Sequence, residues 1–286
     1  MLKIENICII GATGFVGRNL TGELIRLGKS VTALARHPDK AHLPGAKVVK
    51  MDNELPFSGM DAVINLAGIL HDNKPEGFQA VHVDLPQRIA QACVGNGVPR
   101  FLHMSALGAS LEGPSDYLKS KAMGEAVVRK ACENSPTRYT IFSPSVILGE
   151  NDHFIALFSK LMRLSPVLPL ACPHSRLQPI LVADVARAFV ESLEKPETHE
   201  KTLCLCGPKV YTLIELVGKI VKSRGSKRWL MPLPDFLSYL QAWMLEFTPG
   251  PLMTRDNYLS LQKDNVCESA FPFDWQPGRI EILLEN

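Results

Sequence analysis

Between residues 7 and 142 the chain alternates two hydrophobic patterns. Short, nearly unbroken runs of aliphatic and β-branched residues occur at 7–10, 30–34, 47–50, 62–66, 100–104 and 139–142, and the segments between them, as at 18–27, 85–94 and 119–133, space their apolar residues three and four apart. Unbroken short runs fit strands buried on both faces, and the three-and-four spacing fits helices with one face against a sheet. Their strict alternation predicts βαβ units and a doubly wound parallel sheet. After Gly149 the regularity loosens. Pro166, Pro169 and Pro173 break one stretch, a strand-like 180–182 leads into a helix at 184–193 expected to return to the main sheet, and 211–224 and 234–247 read as further helices. The fold class expected is therefore α/β: a doubly wound Rossmann-type sheet in residues 1–150, completed by about 177–205, and a smaller, mostly helical C-terminal lobe from 151–176 and 206–286 that closes over the carboxyl edge of the sheet.

Composition excludes several classes. With 286 residues and 46% hydrophobic content the chain can bury a large core. Thirty-one basic against 29 acidic residues, with no long basic block, argue against nucleic acid as a partner. The seven cysteines (Cys8, Cys93, Cys132, Cys172, Cys204, Cys206, Cys267) lack the paired spacing of a zinc or redox motif, so they read as small core residues in a reducing compartment and no metal is expected. Cys204 and Cys206 could share one face of a strand as buried spacers. The apolar start of the chain ends at Gly11, too short for a signal peptide, and no apolar stretch approaches the ~20 residues of a membrane span. The expectation is a cytoplasmic protein.

The first strand runs into Gly11-Ala-Thr13-Gly14-Phe15-Val16-Gly17-Arg18, which opens a helix. In that context the glycines have separate tasks: a tight turn, close approach of backbone to a pyrophosphate, and close packing of helix on strand with the helix amides facing the anion. An acidic residue at the end of the second strand would hydrogen-bond the ribose of NAD, but the chain reads Leu34-Ala35-Arg36-His37. Arg36 and Arg18 offer guanidinium groups suited to a 2′-phosphate, so NADP(H) is expected in preference to NAD(H). Asp52 is a candidate acceptor for the adenine amino group, and Leu66, Ala67 and Gly68 would let the chain pass close to the cofactor.

Tyr117 and Lys121 lie four apart on a helix beginning near Ser115, one above the other. An ammonium beside a phenol lowers its pKa, which suits the tyrosine to proton exchange with a carbonyl or hydroxyl while a nicotinamide exchanges hydride.

The glycine turn, Asn65-Leu-Ala-Gly68, Tyr117 with Lys121, and Pro144-Ser-Val146 together resemble the extended short-chain dehydrogenase/reductase superfamily. The closer likeness is to an atypical branch, the bacterial relatives of the nucleotide-binding accessory subunit of mitochondrial respiratory complex I. It rests on VINLAGIL at 63–70, QPILVADV at 178–185, GPKVYT at 207–212, PGPLMTRD at 249–256 and LQKDNV at 261–266. The resemblance implies tightly held NADP(H), with Pro144 and Val146 added to the cofactor contacts, and a structural use of the cofactor in a respiratory or quinone-related complex, peripheral at the inner membrane. It also implies a serine or threonine just after the fifth strand of active members; here Ala106 falls there, with Ser105 as the adjacent hydroxyl. Neighbours on a strand face opposite ways, so Ser105 is a candidate catalytic group only if the backbone turns it inward. The superfamily's usual asparagine before that strand is His82, and an arginine often found before the sixth-strand proline is Ser143. Two readings stay open: a cofactor-holding protein that stabilises or assembles a partner, and an NADPH-dependent oxidoreductase or epimerase using Tyr117 and Lys121.

Phe236, Leu240, Trp243, Met244 and Phe247 recur at helical spacing. Internal packing, as a roof over the nicotinamide pocket, is the expectation; a protein or membrane surface is the alternative, encouraged by Lys222, Arg224, Lys227 and Arg228 nearby. Arg255, Asp256, Lys263, Asp264 and Asn265 read as hydrogen-bonding residues that fix the lobe. His103, His153 and His174 fit no ligand spacing.

Overall fold

The computed structural model describes residues 3–52, 54–72, 77–150, 152–248 and 251–284. Pro249 and Gly250 of the tail motif, like Met1, Leu2 and the side chain of His153, lie outside the described residues. In chain order the strands are β1 (Asn6–Ile10), β2 (Ser30–Ala35), β3 (Lys47–Lys50), β4 (Ala62–Asn65), β5 (Arg100–Met104), β6 (Arg138–Pro144), β7 (Ile147–Leu148), β8 (Val167–Leu170), β9 (Arg176–Leu177), β10 (Ile180–Leu181), β11 (Lys201–Leu205), β12 (Tyr211–Thr212) and β13 (Trp229–Pro232). The helices are α1 (Phe15–Arg26), α2 (Leu85–Gly95), α3 (Asp116–Cys132), α4 (His153–Leu164), α5 (Val182–Ser192), α6 (Leu213–Ser223), α7 (Asp235–Glu246), α8 (Arg255–Leu261) and α9 (Glu281–Leu284).

Seven strands form one sheet in the order β11-β6-β5-β4-β1-β2-β3, every neighbouring pair parallel. The order reverses direction between β1 and β4, which opens a crevice at their carboxyl ends where doubly wound sheets take their ligands. One face of the sheet buries Ile7, Ile9, Ile64 and Leu102 under α1 and α5; the other buries Cys8, Ile10, Val63 and Phe101 under α2 and α3. Alternate residues of one strand thus serve two cores, which is why the strands read as unbroken apolar runs. A separate cluster, including Phe158, Met162, Leu216, Val217 and Ile220, binds α4, α6, β8 and α9 into the smaller lobe.

Several sequence expectations change. Residues 180–182 do not enter the main sheet: β10 pairs only with β7, and Val182 already belongs to α5. The seventh strand is β11 instead, paired to β6 from Lys201↔Thr140 to Leu205↔Pro144. Ahead of the three prolines the chain forms α4, in which Phe154, Phe158 and Leu161 have helical spacing. Cys206 is not a free core thiol: it is disulfide-bonded to Cys267, the end of β11 and the tail lying 6.1 Å apart at Cα, a span a disulfide bridges. Such a bond is unusual in a reducing compartment. The other five cysteines are free.

The largest correction concerns α7. It buries only Ser238 and Ala242, four residues apart, so its contact stripe is made of small side chains. Phe236 (76% exposed), Trp243 (44%), Met244 (60%) and Phe247 (71%) face outward and do not roof the cleft.

Candidate nucleotide site

The glycine turn fits its expected work. Gly11 has φ +84°, and a Cβ there would lie 2.8 Å from the Leu66 carbonyl carbon, so only glycine lets β1 end this close to the chain leaving β4. A Cβ on Gly17 would collide with the Gly11 carbonyl oxygen and sit 2.6 Å from Ala12 Cα; its absence seats α1 on the turn. Gly14 donates to the Gly11 carbonyl (3.1 Å) and caps α1 in extended conformation with no side chain on the first-turn amides. Those amides and the positive helix end suit a phosphate anion. Thr13 is exposed, Val16 is buried, and half-buried Phe15 packs on the first core beneath Gly149, where a Cβ would be 2.9 Å from its ring.

Across the crevice, buried Asn65 accepts from the Ala67 amide (3.1 Å) and its side-chain NH₂ faces His103 Nδ1 (3.2 Å), bending the chain so that Leu66 stays buried and Gly68 is exposed. A Cβ on Gly68 would lie 3.6 Å from Lys121 Nζ and 3.7 Å from His82 Nε2, so these three residues converge. Pro144 is buried and accepts from the Leu107 amide (3.0 Å); Val146 accepts from the Ile180 amide (2.9 Å) at the far wall.

At the adenosine end, Arg36 is exposed just past β2. Arg18 is anchored, donating to the carbonyls of Thr13 (2.9 Å) and His42 (3.0 Å) with its guanidinium at the surface. Asp52 is exposed and pairs with Lys50 at 3.5 Å.

The chemistry around Tyr117 departs from the expectation. Lys121 Nζ donates to the Met104 carbonyl (3.0 Å), and burial lowers its pKa to about 8 against the opposing field of Glu125. Burial, then Asp256, pushes the Tyr117 phenol up to about 12, although its ring is partly open to the cleft. The phenol is thus shifted in the direction opposite to the lowering expected of a neighbouring ammonium, with burial as the main cause. Ser105 is buried and donates to Glu125 Oε1 at 2.6 Å. Glu125 in turn accepts from Arg129 (2.6 Å).

His82 is a central residue whose bonding the sequence did not reveal. It sits in a π-helical turn (Gln79–Asp84) ahead of α2, a wide turn often found at functional sites. Its Nε2 accepts from the Ile69 amide (3.1 Å), so the ring proton belongs on Nδ1, facing Ser120 Oγ at 2.9 Å; Ser120 donates onward to the Tyr117 carbonyl (2.8 Å). Phe78 stacks on the His82 ring at 5.2 Å and meets Tyr117 edge-on. One signal was available: Gly124, isolated inside α3, has no room for a Cβ because the His82 carbonyl oxygen lies there. Burial, then Lys121, lowers the His82 pKa to about 3, and buried His103 is lowered in the same direction.

The unfolded chain therefore takes up protons at these rings below pH 6.5 while the folded one resists. Stability is full above that pH and, for His82, falls by about 1.4 kcal/mol per pH unit as pH drops toward 3, with His103 acting in the same direction. Urea titrations at pH 7 and 5.5 should show this slope, and His82→Gln should flatten it by about one ring's share; an unchanged slope would remove His82 from the account.

The tail completes the site from outside. Asp256 accepts from the amides of Asp116 (2.6 Å) and Tyr117 (3.2 Å), joining Ser115, whose hydroxyl accepts from the Leu118 amide (3.2 Å), in capping α3. Asn265 accepts from Ser145 Oγ at 2.5 Å and donates to the Leu107 carbonyl (3.3 Å), while Asp264 pairs with Arg176 (3.2 Å) and Arg255 with Glu246 (2.7 Å). These residues hold the lobe, as their sequence context suggested.

A parallel doubly wound sheet with a glycine turn at its switch point defines a Rossmann-type nucleotide-binding protein. Residues 7–207 match the model of the NAD dependent epimerase/dehydratase family, and the chain belongs to that family. It is 31% identical over 284 residues to the mitochondrial NADH dehydrogenase (ubiquinone) 1 alpha subcomplex subunit 9 of Mus musculus, covering 92% of this chain and 73% of that one. It is also 31% identical to a ceramide reductase of Caulobacter vibrioides, covering 80% and 74% respectively. Among solved structures it resembles UDP-glucose 4-epimerase of Thermotoga maritima with UDP-glucose (TM-score 0.72, 16% identity, 98% of this chain and 96% of that one), a likeness of fold.

Proposed function

We propose that this chain holds NADP(H) as a resident, largely structural cofactor and acts by stabilising or assembling a partner complex of respiratory or quinone-related type. Residues 1–150 with about 177–205 form the cofactor-binding part, and 151–176 with 206–286 the lobe. The observation that carries the reading is the disposition of the would-be catalytic groups: Ser105 is committed to Glu125 and Lys121 to the Met104 carbonyl, and the Tyr117 phenol is raised in pKa. When bound, the cofactor would supply a hydride donor. The residues to hold it are Gly11, Gly14 and Gly17 with the α1 amides at the pyrophosphate, Arg18 and Arg36 at the 2′-phosphate, Leu66 to Gly68, Pro144 and Val146 along its length, and Tyr117 and Lys121 at the nicotinamide ribose. The kinship with a complex I subunit supports the assembly role.

Native mass spectrometry of the purified protein should find one retained NADP(H), and bound NADPH should keep its absorbance when carbonyl or quinone compounds are added, with Tyr117→Phe behaving like the parent. The likeness to a ceramide reductase favours the second reading, an NADPH-dependent oxidoreductase or epimerase using Tyr117 and Lys121. Substrate-dependent loss of NADPH absorbance that Tyr117→Phe abolishes would establish it and overturn the first. Arg36→Asp is expected to weaken NADP binding by about 10- to 100-fold while leaving NAD nearly unchanged, the worth of a charge-assisted phosphate contact. Equal loss of both nucleotides, read by calorimetric titration, would refute the 2′-phosphate assignment.

A further inference from the structure

The outward face of α7 calls for a partner. Phe236, Leu240, Trp243, Met244 and Phe247 are all exposed, and Trp229 on neighbouring β13 is 69% exposed. Contiguous apolar surface of this kind on a folded domain marks an interaction site. The only charges on the helix are Asp235 at its start and Glu246, which Arg255 neutralises.

A group of cations lies at the start of β13, the strand that carries Trp229 and leads into α7. Arg163 near the end of α4, Lys222 and Arg224 at the end of α6, and Lys227 just before β13 are exposed, and among the described residues none has a carboxylate within ion-pair distance. Three contacts bring the group to one end of the lobe. Arg228 donates to the Met162 carbonyl (2.8 Å), the Trp229 amide donates to the Pro166 carbonyl (3.0 Å), and the Ser226 amide donates to the Val221 carbonyl (3.2 Å). Exposed cations around Trp229, together with the aromatic and aliphatic face of the helix that follows, complement an anionic headgroup layer over acyl chains. Tryptophans such as Trp229 and Trp243 are suited to that boundary. A second copy docking through the same face would bring two like-charged groups to one contact, which disfavours self-association.

We propose that α7 and Trp229 dock flat on the surface of an anionic phospholipid bilayer, with Arg163, Lys222, Arg224 and Lys227 on its headgroups. Among the described residues no helix is long and apolar enough to cross a membrane, so the attachment is interfacial. The docking is independent of whether the cofactor turns over.

The test is flotation of the full chain with vesicles of phosphatidylcholine alone and of phosphatidylcholine with phosphatidylglycerol. The protein should float with the anionic vesicles and not with the neutral ones, with a blue shift of tryptophan emission that high salt reverses. Trp243→Glu with Phe247→Glu should abolish binding. Lys222→Glu, Arg224→Glu and Lys227→Glu together should weaken it by about a hundredfold or more, at roughly fivefold per cation. Unchanged far-UV circular dichroism would confirm that the variants fold; if they do not, the salt and lipid dependence of the parent decides. No flotation, equal flotation with both vesicles, or a dimer in sedimentation that Phe247→Glu dissociates would overturn the proposal.

Discussion

Gly17→Ala is expected to strip the protein of its nucleotide and to destabilise it by roughly 3 kcal/mol. The added methyl would occupy the place of the Gly11 carbonyl oxygen and press on Ala12 Cα, and both are backbone, with no flexible side chain to yield. The turn must open, carrying the α1 amides off the pyrophosphate position. Nucleotide affinity should fall by about a hundredfold or more, the loss of roughly 2.7 kcal/mol in charge-assisted hydrogen bonds. Gly22→Ala is the control. It lies on the exposed side of the same helix with nothing within 4 Å of its missing Cβ, and there alanine should add up to about 1 kcal/mol of stability. Urea unfolding and isothermal titration of both variants separate the cases; a Gly17→Ala protein with parental affinity would show that the turn does not form the anion site.

Arg100→Met should cost about 3 kcal/mol without touching the crevice. Arg100 opens β5, is 2% exposed, and donates to the carbonyls of Ser192 (2.7 Å) and Arg138 (2.8 Å) and to the hydroxyls of Thr140 (2.6 Å) and Thr198 (2.9 Å). One guanidinium thus fastens the end of α5 and the approach to β11 onto the sheet. Burial lowers its pKa to about 9, which leaves it charged at neutral pH. Methionine fills similar volume and relieves the buried charge, but strands carbonyl acceptors that water does not reach. Arg100→Lys should recover only part of the loss, because a single ammonium cannot span the same fork. Denaturant midpoints measure both, and a methionine variant as stable as the parent would mean that the desolvation of the charge cancels its bonds.

Six strands and the four main sheet helices were legible because burial on both faces, or on one, stamps a short-range pattern. The glycine turn was legible because steric demands of backbone on backbone select glycine at fixed spacing. Contacts between distant segments were not: the Asp256 cap on α3, the Cys206–Cys267 bond and the partnership of Ser105 with Glu125 pair residues whose meeting depends on the finished fold. The helix α7 misled for a different reason. Helical spacing of large apolar residues says that a face needs covering, not that the same chain covers it, and here Ser238 and Ala242 turned inward instead.

The cap on α3 also bears on the order in which the protein is made. Every strand of the main sheet, and α3 itself, is synthesised before Asp256 and Asn265, which then close over the amides of Asp116 and Tyr117 and the loop after β5. A chain halted after β11 could assemble its sheet and its glycine turn, yet would carry Tyr117 on a helix capped by Ser115 alone, with the Asp116 and Tyr117 amides lacking Asp256. The arrangement of Tyr117 relative to the crevice is thus fixed last, after the sheet and the glycine turn, when residues 256 and 265 have been added.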